Sequence, residues 1–179
     1  QKYRRFIIGY PFAVALIVVT INLLVGVTPI TVQLPSQIHI VLMSVTGVLM
    51  VINHSWLMTV TELTRLRYHI KTTPEEWQAS TIKKSDIPME AFEQLERVHN
   101  AHRNTNENTL YFALVSSVFL LVNPNIVLAA LWLLCFSFAR LGYSYSYLKG
   151  KDNLRGLFMA LTLAGTYGIA SYLVLALWF

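Results

Sequence analysis

Charge is what this 179-residue chain has least of: Asp, Glu, Lys and Arg make up 13% of it, about half the quarter usual for a soluble domain. A surface wetted on every side is thereby excluded. Cysteine occurs once, which rules out a disulfide framework and a cysteine-cage zinc site. Glycine-rich phosphate loops are missing, as is any Ser-His-Asp order that would mark nucleophilic hydrolysis. There is no repeat and no low-complexity tract. What is present is apolar, at 55% of residues, far too much for disorder. A net charge of +5 would suit nucleic acid only on the basic face of a soluble fold, so no nucleic-acid partner is expected.

The apolar residues come in runs, and a membrane-spanning helix needs about 20 of them. Phe6 to Val27, Ile38 to about Val60, Ile126 to Tyr147 and Leu154 to Phe179 are long enough. Thr109 to Val122 is short, and extends backward through a polar helical run from near Phe92. Five spans are therefore expected. Lys and Arg cluster before the first, between the second and third, and between the fourth and fifth; Thr28–Gln37 and Asn123–Asn125 carry neither. Five alternating spans put every basic segment on one face, as the positive-inside rule requires, with a cytoplasmic amino terminus. The first span is too long for a signal-peptide core and no small-residue cleavage site follows it, so it reads as an uncleaved anchor. Asn123-Pro124-Asn125 predicts a tight turn. Thr73-Pro74-Glu75-Glu76 predicts a helix start, with Thr as cap, Pro at the first position and acids in the first turn.

Polar groups at the rim of apolar helices are costly and point to function. Helical spacing puts Asn100, Arg103, Asn104 and Glu107 on one face of the third helix, and Arg140, Tyr143, Ser144 and Tyr147 on one face of the fourth. Arg65 closes the second helix and Arg155 opens the fifth. Guanidinium groups then outnumber their nearby carboxylates, Glu62, Glu76 and Glu107, which favours an anionic ligand. Snorkelling and interhelical ion pairs are the structural alternative. Glu96-x-x-His99 is half of a di-iron helix motif without a second half, and His99 with His102 is more readily a pair of interfacial hydrogen-bonding groups than a metal site. No metal is expected. Cys135, between Leu134 and Phe136, reads as an inert apolar filler.

The stretch Glu96-Arg97-Val-His99-Asn100-Ala-His102-Arg103-Asn104-Thr-Asn-Glu107-Asn108 resembles the E-R-x-x-R-A-H-x-N-x-x-E-N motif of the membrane-associated proteins in eicosanoid and glutathione metabolism, the MAPEG family. Phe138-Ala139-Arg140-Leu141-Gly142-Tyr143 followed by Tyr147 is similar to the F-A-R-L-x-Y-x-x-x-Y run of leukotriene C4 synthase. Arg65-Leu66-Arg67 before Pro74-Glu75-Glu76 resembles the R-x-R…N-P-E-D run that follows the family's first helix. The resemblance covers about residues 40 to 179.

It implies an all-α integral membrane protein, a homotrimer of four-helix protomers at residues 38–179, with an extra amino-terminal transmembrane helix and connector at 1–37. It further implies glutathione bound between subunits on the cytoplasmic side, held by Arg65, Arg103, Asn104, Glu107, Arg140, Tyr143 and Tyr147, with Asn100 and Glu76 beside them. Arg155 matches the arginine that stabilises the glutathione thiolate. The implied activity is that of a microsomal-type glutathione transferase, or a peroxidase, acting on lipophilic electrophiles or lipid hydroperoxides drawn from membrane lipid. The alternative is a non-catalytic lipid-binding scaffold of the same fold or an accessory membrane subunit. Either would lie in the bacterial inner membrane or the endoplasmic reticulum. Asn100 stands where the family commonly has arginine, and Met159 where the prostaglandin synthase has tyrosine, which argues against that isomerase activity.

Overall fold

The computed structural model describes residues 2–178, with side chains from residue 7. Six α-helices follow one another: α1 Lys2–Val25, α2 Gln37–Tyr68, α3 Pro74–Ala79, α4 Met89–Leu121, α5 Ile126–Leu148 and α6 Asp152–Ala176. A single 3-10 turn, Lys84–Asp86, interrupts the long α3–α4 connection. The short elements form where local chemistry asks for them. Thr73 accepts a hydrogen bond from the Glu76 N–H and Pro74 takes the first position of α3. Asn125 caps α5 by accepting from the Val127 N–H at 2.8 Å, and Asn123 turns left-handed at φ 47°.

The long helices alternate in direction. At one end, the α1–α2 connection and the first turn of α2 are stitched to the end of α4, the turn before α5 and the end of α6. Gln33 N–H donates to the Leu121 carbonyl at 2.8 Å, Thr28 bonds the Tyr172 hydroxyl, and His39 meets the Pro124 carbonyl at 2.9 Å. At the other end, Arg65 of α2 approaches His99 of α4 at 3.3 Å and Tyr68 donates to Gln94 at 2.9 Å. The basic segments after α2 and between α5 and α6 therefore share one end of the bundle, as their charge pattern predicted.

Among the described residues, four helices are long and apolar enough to cross a membrane: residues 7–25, 37–68, 126–148 and 152–176. Leu16, Leu24, Val51, Phe138 and Val174 on them are exposed, a lipid-facing rather than a water-facing surface. Helix α4 is not among the four. Only its last third, from Leu110, is apolar, while its first two-thirds is the polar run that builds the candidate site.

Packing is tightest between α5 and α6, where small residues let the backbones meet. A Cβ on Gly165 would lie 3.0 Å from the Phe136 backbone nitrogen, and one on Gly168 would fall into the Trp132 ring. Phe112 stacks on Phe136 at 3.6 Å, and Phe119 meets Tyr172 edge-on at 5.1 Å. Because backbone cannot yield as a side chain can, Gly165→Val should cost about 1–3 kcal/mol of overpacking. Thermal unfolding in detergent checks this, and an unchanged midpoint would contradict the close approach.

Helix α1 is held by Asn22, which is fully buried. Its amide donates to the Gly168 carbonyl at 2.8 Å and the Ser171 hydroxyl at 3.0 Å, and its oxygen accepts from the Trp132 indole at 2.8 Å. All of its side-chain groups thus find partners on α5 and α6, which lets a polar residue sit inside an apolar bundle.

Candidate functional site

At the basic end, the polar run of α4, the last turn of α5 and the first turn of α6 enclose a cavity of about 420 Å³. Gly150 shapes the turn between α5 and α6. It is left-handed at φ 64°, while Lys151 N–H reaches back to the Ser146 carbonyl at 2.9 Å and Gly150 N–H to Tyr147 at 3.2 Å. Glycine ends a helix this way at no steric cost. The turn carries Arg155 back over α5, where its guanidinium lies 5.1 Å above the Tyr147 ring and pairs with Asp152 at 3.2 Å. The Arg155 side chain is 41% exposed and lines the cavity together with Asn100, Arg97 and Tyr147.

A ladder of rings and cations continues inward. Tyr147 packs against Tyr143 at 5.7 Å, and the Arg140 guanidinium sits 4.5 Å from the Tyr143 ring, within the range of a cation–π contact. Arg140 is the largest fully buried side chain. One of its terminal nitrogens, Nη2, donates to the Thr105 hydroxyl at 2.7 Å and to Asn104 Oδ1 at 3.1 Å, while its Nε and Nη1 have no hydrogen-bond partner among the described residues. The sequence reading put Arg140 among the groups touching a ligand. Within this chain it faces α4, not the cavity, because the α5 face that carries Tyr147 at the rim turns inward two turns earlier. Its work is to hold Asn104.

The remaining predicted residues divide. Arg103 is exposed and donates to Asn100 Oδ1 at 2.6 Å, so it joins the cavity through Asn100. Glu107 is exposed, with no hydrogen bond or ion pair among the described residues. Arg65 lies on the other side of α4, pairing with Glu62 at 2.8 Å and meeting His99 at 3.3 Å; its Nε is buried without a hydrogen-bond partner among the described residues. Glu76 is exposed in α3, where its carboxylate accepts from the Thr72 N–H at 2.8 Å. Within the chain, then, Asn100, Tyr147 and Arg155 come together, Arg103, Tyr143, Arg140 and Asn104 stand beside and behind them, and Arg65, Glu76 and Glu107 stand apart.

Two features lay outside the sequence reading. The cavity lining holds three carboxylates, Glu93, Glu96 and Asp152, against the guanidinium groups of Arg97 and Arg155. The anticipated cationic excess is therefore corrected to a site of mixed sign, suited to a ligand carrying both charges. Asp152 could have been found from its i,i+3 spacing to Arg155 in a first turn, whereas Thr105 had no signal beyond being polar. The two histidines of α4 diverge instead of sharing a metal: His99 faces Arg65, and His102 meets His54 of α2 at 2.9 Å. His99, in the polar part of α4, has its pKa lowered first by burial and then by the Arg65 cation, with Glu62 opposing. Among the described residues no cluster of three or more potential metal ligands forms.

Fold and site together define an α-helical integral membrane protein with a polar, mixed-charge cavity at the basic end of its bundle. The model of the MAPEG family matches residues 42–175, three-quarters of the chain, and the protein belongs to that family. The match begins inside α2, so α1 lies outside it. Individual curated proteins give no match to the sequence. The family includes glutathione transferases and related enzymes, and its members commonly use glutathione.

Proposed function

We propose that this protein is a glutathione-dependent membrane enzyme that turns the bound thiol into a nucleophile for lipophilic electrophiles or lipid hydroperoxides. The observation that carries the reading is the Arg155 guanidinium, stacked on Tyr147 and open to a cavity of mixed sign. Glutathione bears two carboxylates and one ammonium. Arg97 and Arg103 suit the carboxylates, and Glu93 or Glu96 suits the ammonium. Arg155 is left for the sulfur, once ligand displaces part of its contact with Asp152.

The chemistry balances simply. The thiol proton leaves to water as the thiolate forms beside Arg155. The sulfur then attacks an electrophilic carbon, an S–C bond forms, and the leaving group departs with its electron pair. With a hydroperoxide, the sulfur attacks the terminal oxygen, the O–O bond breaks and the alcohol leaves; a second glutathione then yields the disulfide and water. Holding both reactants side by side supplies proximity, and the cation supplies the thiolate.

Arg65, Glu76 and Glu107 stand outside the subunit's cavity, which supports a homotrimer whose sites lie between neighbours, on the cytoplasmic side of a bacterial inner membrane or the endoplasmic reticulum. A non-catalytic scaffold is the second reading, favoured by Asn100 in place of a cation and by the Asp152–Arg155 pair. Calorimetry of glutathione with detergent-purified protein separates them. Binding that Arg103→Ala weakens several-fold supports the enzyme; no heat at millimolar glutathione would leave the scaffold. Light scattering that finds a monomer in mild detergent would sink the intersubunit site.

A further inference from the structure

Helices α1 and α6 run side by side in the same direction and are clamped at one end, where Asn22 bonds Gly168 and Ser171. Toward the basic end they part. Tyr10 of α1 and the first turns of α6 bound a groove of about 580 Å³, within the size range of small-molecule sites. Its walls on α6 are Gly156, Leu157, Met159 and Ala160, with Asp152 and Asn153 at the polar rim. A Cβ on Gly156 would meet no atom within 4 Å, and Leu157 is 53% exposed on a helix fit to cross a membrane. The groove is thus apolar, roomy and open to lipid.

Asp152 lines both this groove and the polar cavity, and it carries the ion pair to Arg155. One turn of α6 therefore separates an apolar slot from the cation assigned to the thiolate. We propose that the groove takes the alkyl or aryl body of the lipophilic co-substrate, its reacting end at the first turn of α6 beside Arg155. This rests on the glutathione reading of the polar cavity. Tyr10 comes from α1, outside the matched residues 42–175, so part of the groove that would select co-substrates lies beyond the segment the family model covers.

S-alkyl glutathiones, which join both parts in one molecule, test the idea. In lipid nanodiscs their affinity should rise about fourfold per methylene, from the transfer free energy of a buried CH₂, until the groove is filled. Gly156→Leu projects a side chain into the groove without meeting the bundle, and should flatten that rise while leaving the affinity for glutathione itself unchanged. Met159→Trp, narrowing the other side, should do the same and guards against an effect peculiar to one variant. A rise that persists in both variants overturns the proposal. If glutathione binds neither wild type nor variant, the function proposed above fails and the groove is judged on its own, with a diazirine-bearing decyl probe. Labelling of the Tyr10 and Met159 peptides that Gly156→Leu abolishes supports an apolar ligand there. Labelling elsewhere, or unaffected by the variant, overturns it. Labelling at the groove with no chain-length dependence in the S-alkyl series, where glutathione itself binds, means a resident lipid only and also overturns the co-substrate assignment.

Discussion

Arg155→Leu should lower kcat/KM for conjugation at pH 7 by about 10²–10³-fold, the loss typical when one preorganised partner of a developing or resident anion is removed. Part of it is thiolate supply. A free cysteine thiol has a pKa of about 8.5, and an adjacent opposite charge lowers such a value by about 1–3. With a lowering of about 2, roughly three-quarters of bound glutathione is thiolate at pH 7, against about 3% without it. That is about 25-fold, and the remainder falls on orientation of the sulfur beside Tyr147. The sign of the pH dependence follows. In the wild type, rate rises with pH only up to about 6.5 and is then flat, whereas in Arg155→Leu it goes on rising toward about 8.5. Conjugation of a model aryl halide across that pH range checks both limbs, with thiolate absorbance as the direct readout. Two superimposable profiles would make Arg155 a packing residue, stacked on Tyr147 and paired with Asp152 and nothing more.

Local chemistry carries what was legible in advance. Four of the five expected apolar runs, the basic end, the Thr73 cap and the Asn123–Asn125 turn each depend on residues within a few positions of one another, and appear where the pattern puts them; the short Thr109–Val122 run instead ends a long, mostly polar helix. The site was legible as a set of residues and not as an arrangement. A helical period tells which residues share a face, but not which neighbour covers that face. Asn100, Arg103, Asn104 and Glu107 share one, yet Asn104 is half buried beneath Arg140 while Glu107 stands exposed. The same holds on α5, where Tyr147 reaches the cavity and Arg140 is sealed from it. The charge balance was misread for a related reason. Counting arginines against carboxylates along the chain weighted Glu62, Glu76 and Glu107, whereas folding brings Glu93, Glu96 and Asp152 to the cavity instead.

Arg140→Met should separate stability from function, because the two demand opposite things of that side chain. The guanidinium is fully buried, and two of its three nitrogens lack a hydrogen-bond partner among the described residues. Desolvating a cation is expensive, and its contacts with Thr105, Asn104 and the Tyr143 ring offset that cost only in part. Replacing buried ionic groups with apolar ones of similar volume is often neutral or stabilising by about 1–4 kcal/mol. Methionine fills irregular space without strain, so thermal unfolding in detergent should show a midpoint unchanged or raised. Asn104, losing its shorter donor and keeping only the 3.4 Å contact from Asn108, becomes freer to turn, and so does Tyr143 beneath Tyr147. Glutathione affinity should then fall about tenfold, the worth of one well-made charge-assisted hydrogen bond. Arg140→Lys does not rescue it, since a single ammonium cannot bridge Thr105 and Asn104 while also lying flat over the Tyr143 ring. A midpoint that drops steeply with Arg140→Met would mean that the guanidinium is fully compensated where it lies, by water or a neighbouring subunit at Nε and Nη1. It would then belong to the framework of the bundle, not to the positioning of the site.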